Sequence, residues 1–444
     1  MVDIVNIVLV IVYFAVILTI GFRAKGNKKN EQDFFLANRN VGFLALTATL
    51  VASMIGGNGL ISMMSFVYQY GLSTLWVPFG LLLGFLVTVI FAPKIKKLSD
   101  ENGFYTLPDF IHNKYGKSAG ISTASILFLI YIGYFLTQFI AGGVILSTIT
   151  GWSYAFSVVL MGAVVTLYIT ASGFNAVIKT DIVQYFILLL LVVLSLSLFA
   201  NSGEIDPKNL SLMAANPVDI ITFLVYGLVV ITIGAEVWQR IYAAKDIKTI
   251  KKSLIWSGVF TVIIFSFIVL MGLFAQTRFP DAVPEKALAL GFSSLLPNYL
   301  KGIGLVVLFA AIMSSLDTFL FVLSTSVSKD FISKSKRLSQ YKFVTNPQVI
   351  SVVIGIIGIV LALILDSIVS VLLSVAGIYF VLFAPIIFSF RFNLKKEAVI
   401  LSLIGGVLVS ILAFIILGIT TETALLSFPA SFVLLGIGQL IFRK

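Results

Sequence analysis

The sequence predicts an all-α membrane protein with about thirteen transmembrane helices, and three observations carry that prediction. Of 444 residues, 59% are apolar and 11% are charged, with a mean hydropathy of +1.10; a soluble domain carries about 25% charged residues. Apolar stretches long enough to span a bilayer, about 20 residues each, recur from one end of the chain to the other. The basic residues gather in alternate connecting loops.

In chain order the spans are predicted at about 4–23, 41–66, 73–93, 118–147, 151–171, 176–200, 217–238, 253–276, 300–326, 347–365, 367–390, 397–418 and 423–442. No stretch alternates apolar and polar residues in the way a β-barrel requires. The first span opens Met1-Val2-Asp3, without the basic start or small-residue cleavage site of a signal peptide, so it is read as a retained helix. No loop is large enough for a soluble domain, and 1–444 reads as a single membrane domain. The loop 94–117 sets Phe104, Leu107, Phe110 and Ile111 among charges, which predicts a short helix at the membrane surface.

Lysine and arginine set the expected orientation. With the N-terminus outside, all but Lys208, Arg278, Lys286 and Lys301 of the 30 basic residues fall on the inside, the C-terminal Arg443 and Lys444 among them. The positive-inside rule explains such sorting. It also accounts for the net charge of +11 without nucleic acid, and the bilayer is the expected surrounding.

Composition excludes several chemistries. Cysteine is absent, so thiolate catalysis, thiolate metal sites and disulfides are excluded. The single histidine, His112, lies in the polar 94–117 loop. No glycine-rich phosphate loop with lysine is present, which argues against ATP-driven transport. No catalytic constellation emerges, and the chain is not read as an enzyme.

Span 2 contains Ala52-Ser53-Met54-Ile55-Gly56-Gly57-Asn58-Gly59 at mid-membrane. Each glycine costs about 1 kcal/mol in a helix interior. Small residues also permit close helix packing, but a broken helix that offers backbone groups to a ligand fits the cluster better. In span 9, residues Ala311, Ser314, Ser315 and Thr318 share a helical face, with Asp317 beside it. Oxygen-rich sets suit hard cations, although serine hydroxyls also bond back to their own helix.

Acids inside spans cost about 2.5–3.5 kcal/mol each at the bilayer centre. Asp181 and Asp317 show no basic partner at their depth, which points to a bound cation. Glu236, four residues before Arg240, reads as a structural pair with Lys179 or Arg240 in preference to a substrate contact.

Span 6 opens Gly173-Phe174-Asn175-Ala176-Val177-Ile178-Lys179-Thr180-Asp181-Ile182-Val183-Gln184. This stretch resembles the signature of the sodium:solute symporter family. Further matches follow in the family's order: Thr106-Leu107-Pro108-Asp109-Phe110 with Lys114-Tyr115-Gly116, Gln239-Arg240 with Ala243-Ala244-Lys245-Asp246, and Ala310 through Asp317.

The resemblance implies two five-helix inverted repeats, at 41–200 and 217–390, after a leading helix at 4–23 and before two C-terminal helices at 397–442. Spans 2 and 7 would be the broken helices. A sodium ion, the co-transported cation, would be held by carbonyls of Ala52, Ile55 and Ala311 and hydroxyls of Ser314 and Ser315. A second cation in some relatives corresponds to Asp181, Ser314, Asp317 and Thr318. This chain departs from those relatives in carrying a carboxylate at 317, which suits either a cation or a proton.

The expected function is sodium-coupled symport of a small organic solute by alternating access. The solute would be an amino acid such as proline or another small organic acid, its carboxylate held by amides of broken span 2. A sugar is disfavoured, because span 8 has no lysine and span 3 begins Ser73-Thr74-Leu75-Trp76 without a carboxylate. Polar groups able to face the cavity are Asn58, Gln69, Gln138, Tyr226, Thr232 and Tyr379; otherwise they pack or gate. A proton-coupled carrier using Asp181 and Asp317, or a membrane sensor without net transport, are the alternatives.

Overall fold

A computed structural model describes residues 4–24, 31–199, 205–282, 296, 298–335, 338–340, 346–364 and 368–442. Among the described residues the chain is helical throughout, with one isolated β-bridge between Val41 and Ala244. Among the described residues ten helices are long and apolar enough to cross a membrane, and three shorter apolar helices accompany them. The helices follow the order of the thirteen expected spans. Lys25, Lys28, Lys29, Lys286, Lys336, Arg337, Lys342, Arg443 and Lys444 of the basic-residue pattern lie outside the described residues.

Helix α1 covers Ile4–Arg23. Span 2 is two helices, α2 (Phe43–Met54) and α3 (Gly57–Tyr70), separated by Ile55 and an extended Gly56. Then come α4 (Trp76–Asn102), α5 (Leu107–Thr150), α6 (Tyr154–Ser172) and α7 (Phe174–Phe199). Span 7 is also two helices, α8 (Pro217–Thr232) and α9 (Ala235–Ala243), separated by Ile233 and Gly234. The longer helices that follow, with one short one at the end of span 11, are α10 (Ile247–Arg278), α11 (Asn298–Ser326), α12 (Pro347–Ala362), α13 (Ile368–Phe380), α14 (Phe383–Phe388), α15 (Lys396–Leu417) and α16 (Ser427–Ile441).

Local sequence explains these limits. Thr106 and Asp109 form a reciprocal capping box at the start of α5, with Pro108 in its first turn. Asn216 and Asp246 accept first-turn amides of α8 and α10 at 2.8 and 2.7 Å. Gly116, at φ +83°, bends α5 and divides off a short helix before the span proper. This is the expected surface helix, and its apolar side is packed into the bundle: Leu107 is fully buried and Phe110 stacks on Phe390 at 5.0 Å. Helices α4, α5 and α10 run beyond the apolar stretches because the adjoining charged segments continue the helix.

One interruption is absent from the sequence reading. Span 11 turns at Val381 and Leu382 before α14. Pro385 has no amide proton to offer the carbonyl of Val381, and its ring crowds that carbonyl.

Helices α4 and α8 approach so closely that a Cβ on Gly227 would fall 2.2 Å from the Leu81 nitrogen, and one on Gly80 2.7 Å from the Leu224 oxygen. Close backbone contact through small residues is the usual way helices associate where water cannot drive them together. Backbone bonds from Val41 to Ala243 and from Lys245 to Val41, each 3.0 Å, tie the approach to α2 to the end of α9. Both broken spans are thereby held in one packed unit.

Candidate functional site

The first centre forms where the break in span 2 faces α11. The Ser314 hydroxyl lies 2.8 Å from the Ala52 carbonyl oxygen and 2.9 Å from that of Ala311. Its single proton can serve one of these acceptors at a time, so oxygen outnumbers donor here. The Ser315 hydroxyl donates to the Ser53 carbonyl at 3.1 Å. Ala52, Ile55, Ala311, Ser314 and Ser315 are all fully buried. Ile55 opens the break at φ −97° and ψ 68°.

Gly56 is required here for space. Its φ of −89° is open to any residue, but a Cβ would fall 2.4 Å from the Ser315 hydroxyl oxygen. Gln138, on α5, accepts the Gly57 amide at 2.8 Å and so caps the second half-helix. The Gly57 amide is therefore occupied by protein.

The second centre corrects the expectation that Asp181 lacks a basic partner. Arg240 is 1% exposed and its Nη2 lies 3.3 Å from Asp181. Its Nε donates to the Thr49 hydroxyl at 2.9 Å and Nη2 to the Thr318 hydroxyl at 2.9 Å, while Thr49 donates to Asp181. The physical reason is the break in span 7: after Gly234 the chain stays inside the protein as α9, whose residues 236–243 are all buried. Arg240 is thus an interior residue and not a loop cation. Asp317 accepts from the Tyr168 hydroxyl at 2.7 Å and from Thr180 at 3.3 Å. Among the described residues, one oxygen of Asp181 and one of Asp317 accept no hydrogen bond.

The third feature is a central cavity lined by Ser53, Ser62, Tyr134, Tyr226, Glu236, Phe265 and Phe319 among others. Glu236 was expected to pair with Lys179 or Arg240. Among the described residues its carboxylate forms no ion pair and instead accepts the Tyr131 hydroxyl. Arg240 reaches only its backbone carbonyl, at 3.3 Å, and Lys179 is exposed.

Of the expected cavity residues, Tyr226 lines the cavity and bonds Tyr134 at 3.3 Å. Tyr379 lies behind it, 3.3 Å from the Tyr131 hydroxyl. Thr232 bonds back to Leu228 at 2.7 Å, and its carbonyl accepts the Trp238 indole at 2.9 Å. Gln69 is exposed, against the expectation, because it lies on the outward side of α3. The Asn58 side chain lies outside the described residues. Tyr131 and Tyr134 are additions; the intramembrane acid Glu236 and the Gln239-Arg240 motif are the signals the sequence offers for that region.

The sodium:solute symporter family matches residues 34–406. The chain belongs to that family. This symporter is 27% identical over 377 residues to the osmoregulated proline transporter OpuE of Bacillus subtilis, covering 79% of this chain and 76% of that protein. It is 24% identical over 415 residues to a sodium/glucose cotransporter of Vibrio parahaemolyticus, covering 82% and 76%. A solved structure of the substrate-bound outward-open state of a Na+-coupled sialic acid symporter matches 99% of this chain and 98% of that one, with a TM-score of 0.81 at 17% identity. A manganese transporter of Eremococcus coleocola matches with a TM-score of 0.56 over 90% and 93% at 15% identity. The fold is the inverted-repeat transporter fold with broken helices. The protein is a sodium-coupled symporter of a small solute in a membrane, and not an enzyme.

Proposed function

We propose that this symporter imports a small organic solute, an amino acid such as proline or a small carboxylate, across the cell membrane with one sodium ion held between the break in span 2 and α11. The observation that carries the reading is the Ser314 hydroxyl, set within 2.9 Å of two carbonyl oxygens at that break. When sodium arrives, the hydroxyl proton turns away and its oxygen joins the carbonyls of Ala52, Ile55 and Ala311 and the hydroxyl of Ser315. A hard monovalent cation is matched by such neutral oxygens. The ion stitches the first repeat, 41–200, to the second, 217–390, and so favours the outward-open form. The helix at 4–23 and the pair at 397–442 flank this core.

The N-terminus lies outside and the C-terminus inside, as the distribution of basic residues supports. Each inward positive charge then draws about 2.3 kcal/mol per 100 mV of membrane potential. Solute binding in the central cavity closes the outer side, and low internal sodium releases the ion and then the solute.

A second monovalent cation, sodium or a proton, is taken up between Asp181 and Asp317. The supporting observation is that each has a buried oxygen without a donor, while Arg240 supplies one positive charge against two carboxylates. Thr318 is already engaged by Arg240 and serves this pair indirectly.

Reconstitution into liposomes tests the reading. An inward sodium gradient should drive accumulation of a labelled amino acid or small carboxylate, and potassium should not replace it. Uptake indifferent to sodium but driven by a pH gradient would move the coupling to Asp181 and Asp317, and binding without accumulation would make the protein a sensor.

A further inference from the structure

The wall of the central cavity carries a buried carboxyl group, that of Glu236, 3% exposed and with no basic side chain beside it among the described residues. Among the described residues its carboxylate forms no ion pair, and the Tyr131 hydroxyl donates to it. The neighbouring buried cation, Arg240, is committed to Asp181, Thr49 and Thr318. A buried carboxylate without a counter-charge is costly, and a cationic ligand would remove that cost.

Groups for a substrate carboxylate are scarcer. The Gly57 amide is occupied by Gln138 at 2.8 Å. The other groups on the wall are neutral, among them the paired hydroxyls of Tyr134 and Tyr226, the hydroxyls of Ser53 and Ser62, and the rings of Phe265 and Phe319. Aromatic faces and hydroxyls accommodate an ammonium group as readily as an apolar ring.

We infer that Glu236 receives a protonated amine of the substrate, so that the solute is an amino acid or simple amine and not a carboxylate without an amine, nor a sugar. This rests on the symport reading above and narrows its substrate class. The ammonium takes the place of part of the Tyr131 hydrogen bond, and Glu236 acts as the residue that selects for charge.

Thermal unfolding of the purified full-length protein tests this. The probes are the common amino acids, the matching amines without a carboxylate (pyrrolidine for proline), the matching acids without an amine (cyclopentanecarboxylate for proline), and glucose, all in saturating sodium. At least one amine-bearing probe should stabilise the wild type while its deaminated counterpart does not. Glu236→Gln should weaken that probe's apparent affinity about tenfold or more, the worth of a charge-assisted hydrogen bond, and Glu236→Asp should retain part of it. Stabilisation by sodium alone should be the same in both variants, which also shows that they fold. The inference is overturned if the deaminated acids or glucose bind as well as the amines, if Glu236→Gln binds the amine unchanged, or if no amine stabilises the wild type. A wild type that responds to amines through Glu236 but not to sodium would instead remove the sodium reading and leave this one standing.

Discussion

The two helix breaks occur at corresponding points of spans 2 and 7, each two residues long and each with a glycine, yet they expose opposite chemistry. The break at Ile55-Gly56 faces hydroxyls and carbonyl oxygens of α11, all neutral and fully buried. The break at Ile233-Gly234 turns a half-helix inward that carries Glu236 toward the cavity and Arg240 toward Asp181. Neutral oxygens can bind a hard cation without holding it too tightly to release. Fixed charges instead impose selectivity and an obligatory partner, because an unpaired buried charge is expensive. On the proposed reading, the first break coordinates the ion, and the second selects the solute and balances buried charge.

The largest expected effect comes from removing the charge at the second break. Arg240→Met leaves Asp181 and Asp317 buried without a cation and should destabilise the protein by about 3–5 kcal/mol, read as a lowered unfolding temperature in detergent. Adding Asp181→Asn to that variant should restore much of the loss. An unchanged unfolding temperature in Arg240→Met would mean that the buried pair is not a structural element.

A smaller effect is expected at the first break. Gly56→Ala places a methyl group 2.4 Å from the Ser315 oxygen and 2.8 Å from the Gln138 side chain. Overpacking of this kind costs about 1–3 kcal/mol, here spent in separating α11 from the break. Sodium-dependent stabilisation should weaken severalfold, while solute specificity stays as in the wild type. If the substitution altered specificity and spared the sodium response, the division of labour between the breaks would be wrong.

Much of this was legible beforehand, for physical reasons. Bilayer-length apolar runs and sorted lysines report the spans because lipid penalises charge in every segment alike. The glycine cluster at 56–59 points to the first break, since three glycines in four positions cost more in a helix interior than close packing alone requires. Span 7 offers only Gly227 and Gly234 as breakers, so its break follows from the family resemblance, and composition around it reads as an ordinary span ending in a loop. On composition Arg240 therefore reads as a loop cation, and Asp181 as an acid without a partner. Glu236 was misread for a related reason: its spacing to Arg240 suggests a helical ion pair, whereas the guanidinium is drawn off by residues from α2, α7 and α11. Gln69 shows the converse error, because polarity within a span does not by itself say which side of the helix faces the cavity.

The most direct test of the account is sodium titration of Ser314→Ala. The hydroxyl lies between the carbonyls of Ala52 and Ala311, and its loss removes one ligand without adding bulk. Half-maximal sodium for uptake should rise about tenfold or more, the value of one lost polar contact to a charge, with expression and unfolding temperature in the absence of sodium close to wild type. A half-maximal sodium concentration equal to wild type would contradict the account and place the coupled ion elsewhere.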